Sequence, residues 1–360
     1  MMMINQVRSR KDNKDLGNFT NTVRRVRLSF ADQQVEFVDR EQALKRIEDW
    51  AGRGTYPVQV VYGPEGCGKS AWLRQSVELL RDFGFEVIYV NPIESTFIIE
   101  LGITDLRNRI MNLIREATSQ IAWGRVVWSI IDIARSAIEA GTRKLAIIVD
   151  DAFQVIGLDR AAIYVKGLLG ILEHPPASYE RVIAIAATSE GVSRREIGRH
   201  LWASIRPMWN MPREGFRQLY EQLPGPKPEF DEIWRLTGGN PRMLAELYRV
   251  GWNQWEVIND LITGKNIKAF TASLGDGERK LLTNAIDDPD VLMSREGIPL
   301  MNKLVELNLV LEIPEWRDPK FWIDTPPPER DLELGIGEYV AWQSPMHREA
   351  VRKVLESMRQ

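Results

Sequence analysis

The octapeptide GPEGCGKS, residues 63–70, constrains the fold of this 360-residue chain more than any other stretch. The apolar run VQVVY before it has the length and composition of a buried strand. The stretch SAWLRQSVELLRD after it has apolar residues at helical spacing and stops before Gly84. Glycines in a turn of this kind adopt backbone conformations that other residues avoid, and they let the backbone approach a ligand closely. We therefore predict a strand, a glycine-rich loop and a helix in this order.

The spacing of Gly63, Gly68, Lys69 and Ser70 matches G-x-x-x-x-G-K-[S/T], a pattern that binds polyphosphates when a strand precedes it and a helix follows. Backbone N–H groups of such a loop point at the phosphates, and the helix dipole adds positive potential. The Lys69 ammonium would reach the β- and γ-phosphates, and the Ser70 hydroxyl would bind Mg²⁺. A turn that only joins strand and helix is the alternative. The predicted ATP- or ADP-binding residues of the loop are Gly63, Pro64, Glu65, Gly66, Cys67, Gly68, Lys69, Ser70 and Ala71.

Cys67 is the single cysteine and lies within this loop. Because of this position, a thiol reagent should compete with nucleotide, and a small residue that merely fits is the alternative. One cysteine excludes an internal disulfide and a cysteine-based zinc site.

The run LAIIVDD ends an apolar strand with two acids, Asp150 and Asp151. Magnesium in a phosphate site needs a carboxylate opposite the loop hydroxyl, so we assign Asp150 to the metal. Asp151 would polarise the attacking water. Solvated acids at a strand end are the alternative interpretation.

Two further segments carry candidate contacts to the γ-phosphate. Thr188 and Ser189 end the next predicted strand, where ligands of parallel sheets bind, and Ser189 is assigned to the γ-phosphate or the attacking water. In GGNPR, Pro241 and Arg242 begin a helix, and Arg242 could reach the phosphates while Pro241 packs on the base. A strand-end hydroxyl and a surface charge are the alternatives. Arg194, Arg195 or Arg199 could serve as a finger on a neighbouring subunit.

Alternation of such strands and helices predicts an α/β fold with a P-loop NTPase parallel sheet between helices. The helix, glycine turn and helix around GGNPR predict a helical lid after it. The order helix, helix, strand, loop, strand, helix after about Ile267 fits a small C-terminal winged-helix domain. In this scheme residues 1–34 are a basic arm, 35–211 the core, 212–266 the lid and 267–360 the winged-helix-like domain. A generic α+β cap is the alternative for the last. The stretch from about Phe97 to Gly141 has a helical pattern. Nearer the N-terminus, Asp39 is a candidate N-cap for the helix that follows it directly.

Composition adds bounds on partners and compartment. The formal net charge is −3, so the whole chain is not a polycation that binds nucleic acid. No apolar run reaches the length of a membrane helix, and the N-terminal residues are polar and basic, unlike a secretory signal. We expect a cytoplasmic protein without a membrane partner.

Together, FVDRE (37–41), GPEGCGKS, IIVDD, ATSE, GGNPR and WQSPMHREA (342–350) resemble the archaeal ATPases of the AAA+/STAND group of P-loop NTPases. The resemblance implies that Phe37, Val38 and Arg40 lie beside the adenine or the phosphates. It also implies a nucleotide-binding core, a lid and a winged helix. The second acid of such ATPases is often glutamate, which is one methylene longer than Asp151, so we expect slow turnover.

Three functions are compatible with these residues. The first is a regulatory ATPase whose ATP and ADP states differ in domain arrangement. The second is a DNA-binding ATPase resembling replication initiators or transposition helpers. Duplex DNA would then contact the winged helix or the basic arm, although residues 271–360 carry 17 acidic and 11 basic residues. The third is a nucleotide-binding adaptor without catalysis. A protein partner fits each of them, and the oligomeric state is open.

Overall fold

The computed structural model describes residues 24–189 and 191–358, without the side chains of residues 192 and 193. Its strands are β1 (Arg27–Phe30), β2 (Gln33–Glu36), β3 (Val58–Tyr62), β4 (Glu86–Asn91), β5 (Thr96–Glu100), β6 (Lys144–Asp150), β7 (Arg181–Thr188), β8 (Ala203–Pro207), β9 (Val310–Glu312) and β10 (Val340–Trp342). Its α-helices up to residue 198 are α1 (Glu41–Arg53), α2 (Lys69–Asp82), α3 (Thr104–Glu116), α4 (Gln120–Glu139), α5 (Phe153–Ile156), α6 (Ala161–Glu173) and α7 (Gly191–Gly198). The later ones are α8 (Arg213–Glu221), α9 (Phe230–Thr237), α10 (Pro241–Arg249), α11 (Gln254–Gly264), α12 (Ile267–Ser273), α13 (Asp276–Asp287), α14 (Ile298–Glu306) and α15 (Pro345–Ser357).

The central sheet has the strand order β5-β4-β6-β7-β3-β8, and all neighbours except β4 and β5 are parallel. Apolar side chains alternate between its two faces. On β6, Leu145, Ile147 and Val149 pack against α3, α4 and α6, while Ala146 and Ile148 pack towards α1 and α2. Because both faces are covered, the strands are uniformly apolar. The predicted fold class, a mostly parallel P-loop NTPase sheet between helices, is confirmed.

The register brings the polar ends of three strands together. Asp150 pairs with Ala187, and Tyr62 pairs with Thr188, at the carboxyl edge of the sheet. The glycine-rich loop follows Tyr62 directly. Ligands of open α/β sheets bind at this edge, so the fold gathers the motifs into one site.

Two elements differ from the sequence prediction. Thr96–Glu100 forms β5, antiparallel to β4, where a helical pattern was expected from Phe97 onwards. This short run pairs with the backbone of β4 and becomes the edge strand of the sheet. Helical periodicity starts only in α3. Within the expected arm of residues 1–34, the described part differs too, because β1 and β2 form a hairpin. The hairpin is held to α2 by Gln75, which accepts from Val26 N at 2.8 Å. Residues 1–23 of that arm lie outside the described part of the chain.

After β8, helices α8 to α11 form a segment that we call the helical segment (residues 212–266). The C-terminal segment (residues 267–358) contains α12 to α15 and the antiparallel pair β9–β10. One apolar cluster runs through both, with Phe216 and Leu244 from the first and Leu304 and Val351 from the second. The two segments therefore share a hydrophobic core. Among the described residues, no helix combines the length and apolarity needed to cross a membrane.

Candidate functional site

The glycine-rich loop connects β3 to α2, as predicted. Gly66 and Gly68 have φ angles of 75° and 102°, which L side chains rarely adopt. A Cβ on Gly63 would lie 1.9 Å from the Met208 carbonyl oxygen, so this position has no room for a larger residue. The loop is thus a tight turn whose backbone continues into the N-terminus of a 14-residue helix. Such a helix end favours an anionic ligand.

Lys69 is buried and folds back on its own loop. Its Nζ donates to the carbonyl oxygens of Gly63 and Pro64, both at 3.0 Å. These neutral acceptors leave the ammonium charge without an ion-pair partner in the part of the chain that the structure describes. A phosphate group would supply the missing negative charge.

Asp150 is fully buried at the end of β6 and only half satisfied. Its Oδ2 accepts from Tyr89 Oη at 3.1 Å and from Asn91 Nδ2 at 3.0 Å. Its Oδ1 is buried and accepts no hydrogen bond from any described residue. Burial raises the pKa of Asp150 to about 7, and the negative charge of Asp151 adds to this rise. An orphaned carboxylate oxygen in a phosphate site is a fitting ligand for a cation.

The Ser70 hydroxyl acts against the effect of burial and lowers the pKa of Asp150, which indicates that it lies near this carboxylate. Among the described residues, no group of three or more acidic, histidine or cysteine side chains forms a complete metal site. Ser70 and Asp150 would therefore hold Mg²⁺ together with phosphate oxygens and water, which is how this ion usually binds.

Asp151 contacts the end of the neighbouring strand. Its Oδ1 accepts from both the backbone N and the Oγ of Ser189, each at 3.3 Å. Its backbone has a positive φ of 46°, a conformation that aspartate tolerates better than most residues. The structure thus pairs the two residues that the sequence assigns to the attacking water and its orientation.

A cavity of about 190 Å³ opens beside the loop. Among its lining residues are the expected Phe37, Val38 and Pro241, which offer apolar surface for a base, and Cys67, Gly68, Ser70 and Ala71 at the phosphate end. The hairpin residues Leu28 and Phe30 line it too, together with Met211 and Leu219. None of these four was predicted; for Leu28 and Phe30 the reason is that the hairpin turn, formed by Ala31 and Asp32 at positive φ, lacks the usual glycine or asparagine signal.

Arg40 also lines this cavity, but its guanidinium group is only 2% exposed and faces other parts of the chain. It donates to Asp324 Oδ2 at 2.7 Å, to the Cys67 carbonyl at 2.5 Å and to the Trp209 carbonyl at 3.1 Å. Arg40 therefore joins the loop to the C-terminal segment and positions the loop. Asp324 was not predicted, since a single acid in FWIDTPPP carries no local signal.

The Cys67 side chain is fully buried in the apolar cluster beneath the loop, and its Sγ lies 3.6 Å from the Met208 carbonyl oxygen. The thiol therefore does not face the ligand, and the expected competition between thiol reagents and nucleotide is not supported. Its backbone carbonyl accepts a hydrogen bond from Arg40.

Glu65 receives contacts from both later segments. Its carboxylate accepts from Arg242 Nη1 at 2.7 Å and from Lys265 Nζ at 3.3 Å. Its backbone N donates to Gln343 Oε1 at 2.8 Å, and its carbonyl accepts from Asn240 Nδ2 at 2.9 Å. Burial alone would raise the pKa of Glu65, but the charges of Lys265 and Arg242 hold it below its usual value. Lys265 and Gln343 were not predicted.

The arginines considered as a finger are paired inside the chain. Arg194 and Arg195 both bind Glu312 at the end of β9, Arg195 with a distance of 2.6 Å. Arg199 is exposed and pairs with Glu196 one helical turn away. None of the three reaches the glycine-rich loop.

Asp39 was expected to cap α1, but Arg40 occupies the N-cap position without a side-chain cap bond. Asp39 has a φ of 60°, and its buried Oδ2 has no partner among the described residues. Burial raises the pKa of Asp39 to about 6, although Arg40 beside it acts in the opposite direction.

We predict that Asp39→Asn stabilises the ligand-free protein above neutral pH. The raised pKa means that the folded chain favours the protonated carboxyl, so this contribution to stability is present below about pH 4. It is lost as the pH rises through about 6. Asparagine tolerates the same φ, and we expect a gain of about 1 kcal/mol at pH 8 after allowing for solvent screening.

Urea unfolding of both proteins between about pH 4 and about pH 8 checks this. Their difference should grow up to about pH 6 and then stay constant. His347, whose pKa is lowered to about 3 by burial, has the opposite pH dependence but is common to both proteins. A difference that is the same at every pH would contradict the role given to Asp39.

Comparisons with known proteins also indicate an ATPase. Residues 37–247 match the model of a family described as an ATPase domain predominantly from Archaea. No curated protein matches the chain. Similar solved structures include the Walker-type ATPase PABY2304 of Pyrococcus abyssi, 14% identical, covering 88% of this chain and 96% of that one with a TM-score of 0.48.

Two more are the Orc1 protein of Aeropyrum pernix in complex with DNA and Cdc6p of Pyrobaculum aerophilum. The first is 15% identical, with 89% of this chain and 93% of that chain covered and a TM-score of 0.38. The second is 14% identical, with 89% and 95% covered and a TM-score of 0.35. Since the family model spans more than half of the sequence, the resemblance to archaeal ATPases is confirmed, and the chain belongs to the family of P-loop ATPase domains found predominantly in Archaea.

Proposed function

We propose that this chain is a slow, Mg²⁺-dependent ATP-hydrolysing switch of the AAA+/STAND type, in which the bound nucleotide controls the contacts of the helical and C-terminal segments with the core. The observation that supports it is the set of contacts on Glu65, where Arg242, Lys265, Asn240 and Gln343 all meet the phosphate-binding loop. The proposed units are the core (residues 35–211), a lid (212–266) and a winged-helix-like domain (267–360).

Nucleotide binding is supported by two groups that lack partners of opposite charge among the described residues, the Lys69 ammonium and the Asp150 carboxylate. Lys69 exchanges two carbonyl acceptors for charged phosphate oxygens, which bind an ammonium more strongly. Mg²⁺, held by Ser70 and Asp150, would neutralise charge on the phosphates. Phe37, Val38 and Pro241 provide the apolar contacts for the base.

For hydrolysis, Asp151 accepts a proton from the attacking water, and Ser189 orients the carboxylate through two hydrogen bonds. The left-handed backbone at this position explains the aspartate, because a glutamate at a φ of 46° would be strained. The shorter side chain reaches less far towards a water beside the γ-phosphate, so we expect slow turnover.

The coupling step involves Arg242. Its side chain is 53% exposed and pairs with Glu65, an acid inside the phosphate loop. ATP adds negative charge to this loop, and Arg242 can then exchange the carboxylate for the γ-phosphate. Such an exchange weakens one of the contacts between the loop and the helical segment, and so it biases a two-state arrangement.

A distance measurement between the core and the C-terminal segment tests this function. Ile163 and Met293 are exposed and can be replaced by cysteine for a pair of fluorescent labels, while the buried Cys67 stays unlabelled. We expect the transfer efficiency to differ between ATP with Mg²⁺ and ADP. The same pair in a Lys69→Ala background should not respond. Identical efficiency in both nucleotide states, with binding of each verified, would overturn the switch.

A DNA-dependent form of this ATPase is a second candidate. Arg24, Arg25, Arg27 and Arg81 line one surface cleft, whose acids are Glu36 and Glu78. If DNA binds there or to residues 1–23, binding should fall steeply with salt and weaken without residues 1–27. Absence of duplex binding at low salt would remove this candidate.

A further inference from the structure

A second cleft shares no lining residue with the nucleotide cavity. It measures about 650 Å³ and is bounded by β8, by α7 and by residues 314–321 of the C-terminal segment. Four consecutive residues of β8, Ser204 to Pro207, line it. Side chains of a strand alternate between faces, so a consecutive run shows that the strand edge itself faces the cleft.

This edge has unused backbone groups. Among the described strands, β8 is the last of the sheet and pairs with β3 alone. The Met208 N donates to Tyr62 on β3, while the Pro207 carbonyl accepts from Ile323 N on the outer side. Since backbone groups alternate in direction along a strand, the N–H and C=O of Ile205 point outwards. Among the described residues, the hydrogen bond from Ile323 N to the Pro207 carbonyl is the one backbone bond that the structure shows on the outer edge of β8.

The lining of the cleft carries three arginines, Arg194, Arg195 and Arg206, and one acid, Glu315. Arg206 lines it, and its Nη1 is buried without a hydrogen-bond partner among the described residues. Burial lowers the pKa of Arg206, and the neighbouring cations Arg46 and Arg53 lower it further. Arg194 and Arg195 add charge at the opposite wall; both pair with Glu312, and Arg194 also donates to the Tyr62 hydroxyl at 3.2 Å. A buried guanidinium nitrogen left unpaired is costly, so an anionic ligand would be favoured.

Two aromatic rings complete the cleft. Trp316 is 62% exposed and Phe321 is 38% exposed, and their ring centroids are 5.1 Å apart. Exposed aromatic side chains beside arginine are typical of the energetically important part of protein interfaces.

We propose that this cleft binds an extended acidic segment of a partner protein, which adds as a strand to the free edge of β8. The backbone of the segment would pair with Ile205, an acidic side chain would accept from Arg206, and an apolar side chain would pack on Trp316. Strand addition to a sheet edge is an established mode of peptide recognition. The chain's own residues 1–23 are a poor occupant, because Arg8, Arg10, Lys11 and Lys14 outnumber Asp12 and Asp15.

The test uses three fluorescein-labelled probes and the full chain. They are a decapeptide of alternating glutamate and valine, the same peptide with lysine for glutamate, and an oligothymidylate of similar charge. We expect saturable binding of the glutamate peptide alone, measured by fluorescence anisotropy. Arg206→Gln and Ile205→Pro should each weaken it by about tenfold, the first by removing a charged donor and the second by removing one outward N–H. Proline is tolerated at such edge positions, and Arg199→Gln, outside the cleft, is the matched control.

Each of the following outcomes of this experiment would contradict the proposal. No saturable binding of the glutamate peptide at millimolar concentration would overturn it, as would binding that Arg206→Gln and Ile205→Pro leave unchanged while thermal stability and ATP affinity are retained. Arg206-dependent binding of oligothymidylate would make the cleft a nucleic-acid site. A dimer in sedimentation velocity that Trp316→Ala disrupts would make the occupant a second copy of the chain.

Discussion

Replacement of Lys69 with alanine is expected to lower the affinity for ATP by about 100-fold or more, which corresponds to about 2.8 kcal/mol. The ammonium is buried and donates to the carbonyls of Gly63 and Pro64, and its ion-pair partner is not found among the described residues. Charge-assisted hydrogen bonds contribute about 1.5–3 kcal/mol each, so the loss of even one or two accounts for this effect. Isothermal titration calorimetry with ATP and Mg²⁺ measures it directly.

The control must separate lost binding from lost folding. Lys69→Ala frees two carbonyl oxygens at a loop, and we expect the free energy of unfolding to change by about 1 kcal/mol at most. Lys144→Ala is a matched variant, since Lys144 lies at the opposite end of β6 and pairs with Glu180. Unchanged ATP affinity in Lys69→Ala would contradict the assignment of the loop as the phosphate site.

The parts of the site that the sequence predicts are those held by local structure. The loop residues follow from the strand before and the helix after them, and Asp150 and Asp151 from an apolar run with an acidic end. The loop lies directly between β3 and α2, and the two acids stand at the end of β6. Parallel pairing then brings the strand ends together without further information.

Contacts between distant parts of the chain could not be predicted in this way. Arg40 and Asp324 are 284 positions apart, and Glu65 and Gln343 are 278 apart. Asp324 lies in a proline-rich loop, and Gln343 lies in WQSPMHREA, whose resemblance to archaeal ATPases does not indicate a contact with Glu65. Their importance arises from the packing of the C-terminal segment on the phosphate loop, which depends on tertiary structure alone.

The misassigned elements have local causes. The β1–β2 hairpin turns on Ala31 and Asp32, which both adopt positive φ although neither is glycine or asparagine. β5 is a five-residue edge strand with intermediate burial throughout, so neither alternation nor a fully apolar run marks it. Tyr89 and Asn91, which hold Asp150, end a strand that the sequence does predict. The signal that could have identified them is the polar end of β4 beside that of β6.

Replacement of Asp151 with asparagine is expected to lower the turnover of ATP by about 100-fold or more, the typical contribution of a general base. The substitution is conservative for the structure. Asparagine adopts positive φ readily, and its side-chain oxygen can still accept from the N and Oγ of Ser189. What it loses is the ability to take a proton. The affinity for ATP should therefore stay within a few-fold of that of the parent protein, while the rate at which phosphate is formed falls.

A single-turnover assay with saturating protein isolates this step from product release. Asp151→Glu is the informative companion, because it keeps the carboxylate and lengthens the side chain but strains the left-handed backbone. If reach limits the parent, this variant hydrolyses at least as fast as the parent despite lower stability; if backbone geometry dominates, it falls between the parent and Asp151→Asn. Full activity in Asp151→Asn would assign the proton transfer to another group. A parent protein that binds ATP with Mg²⁺ but releases no phosphate would instead indicate an adaptor that uses nucleotide without hydrolysing it.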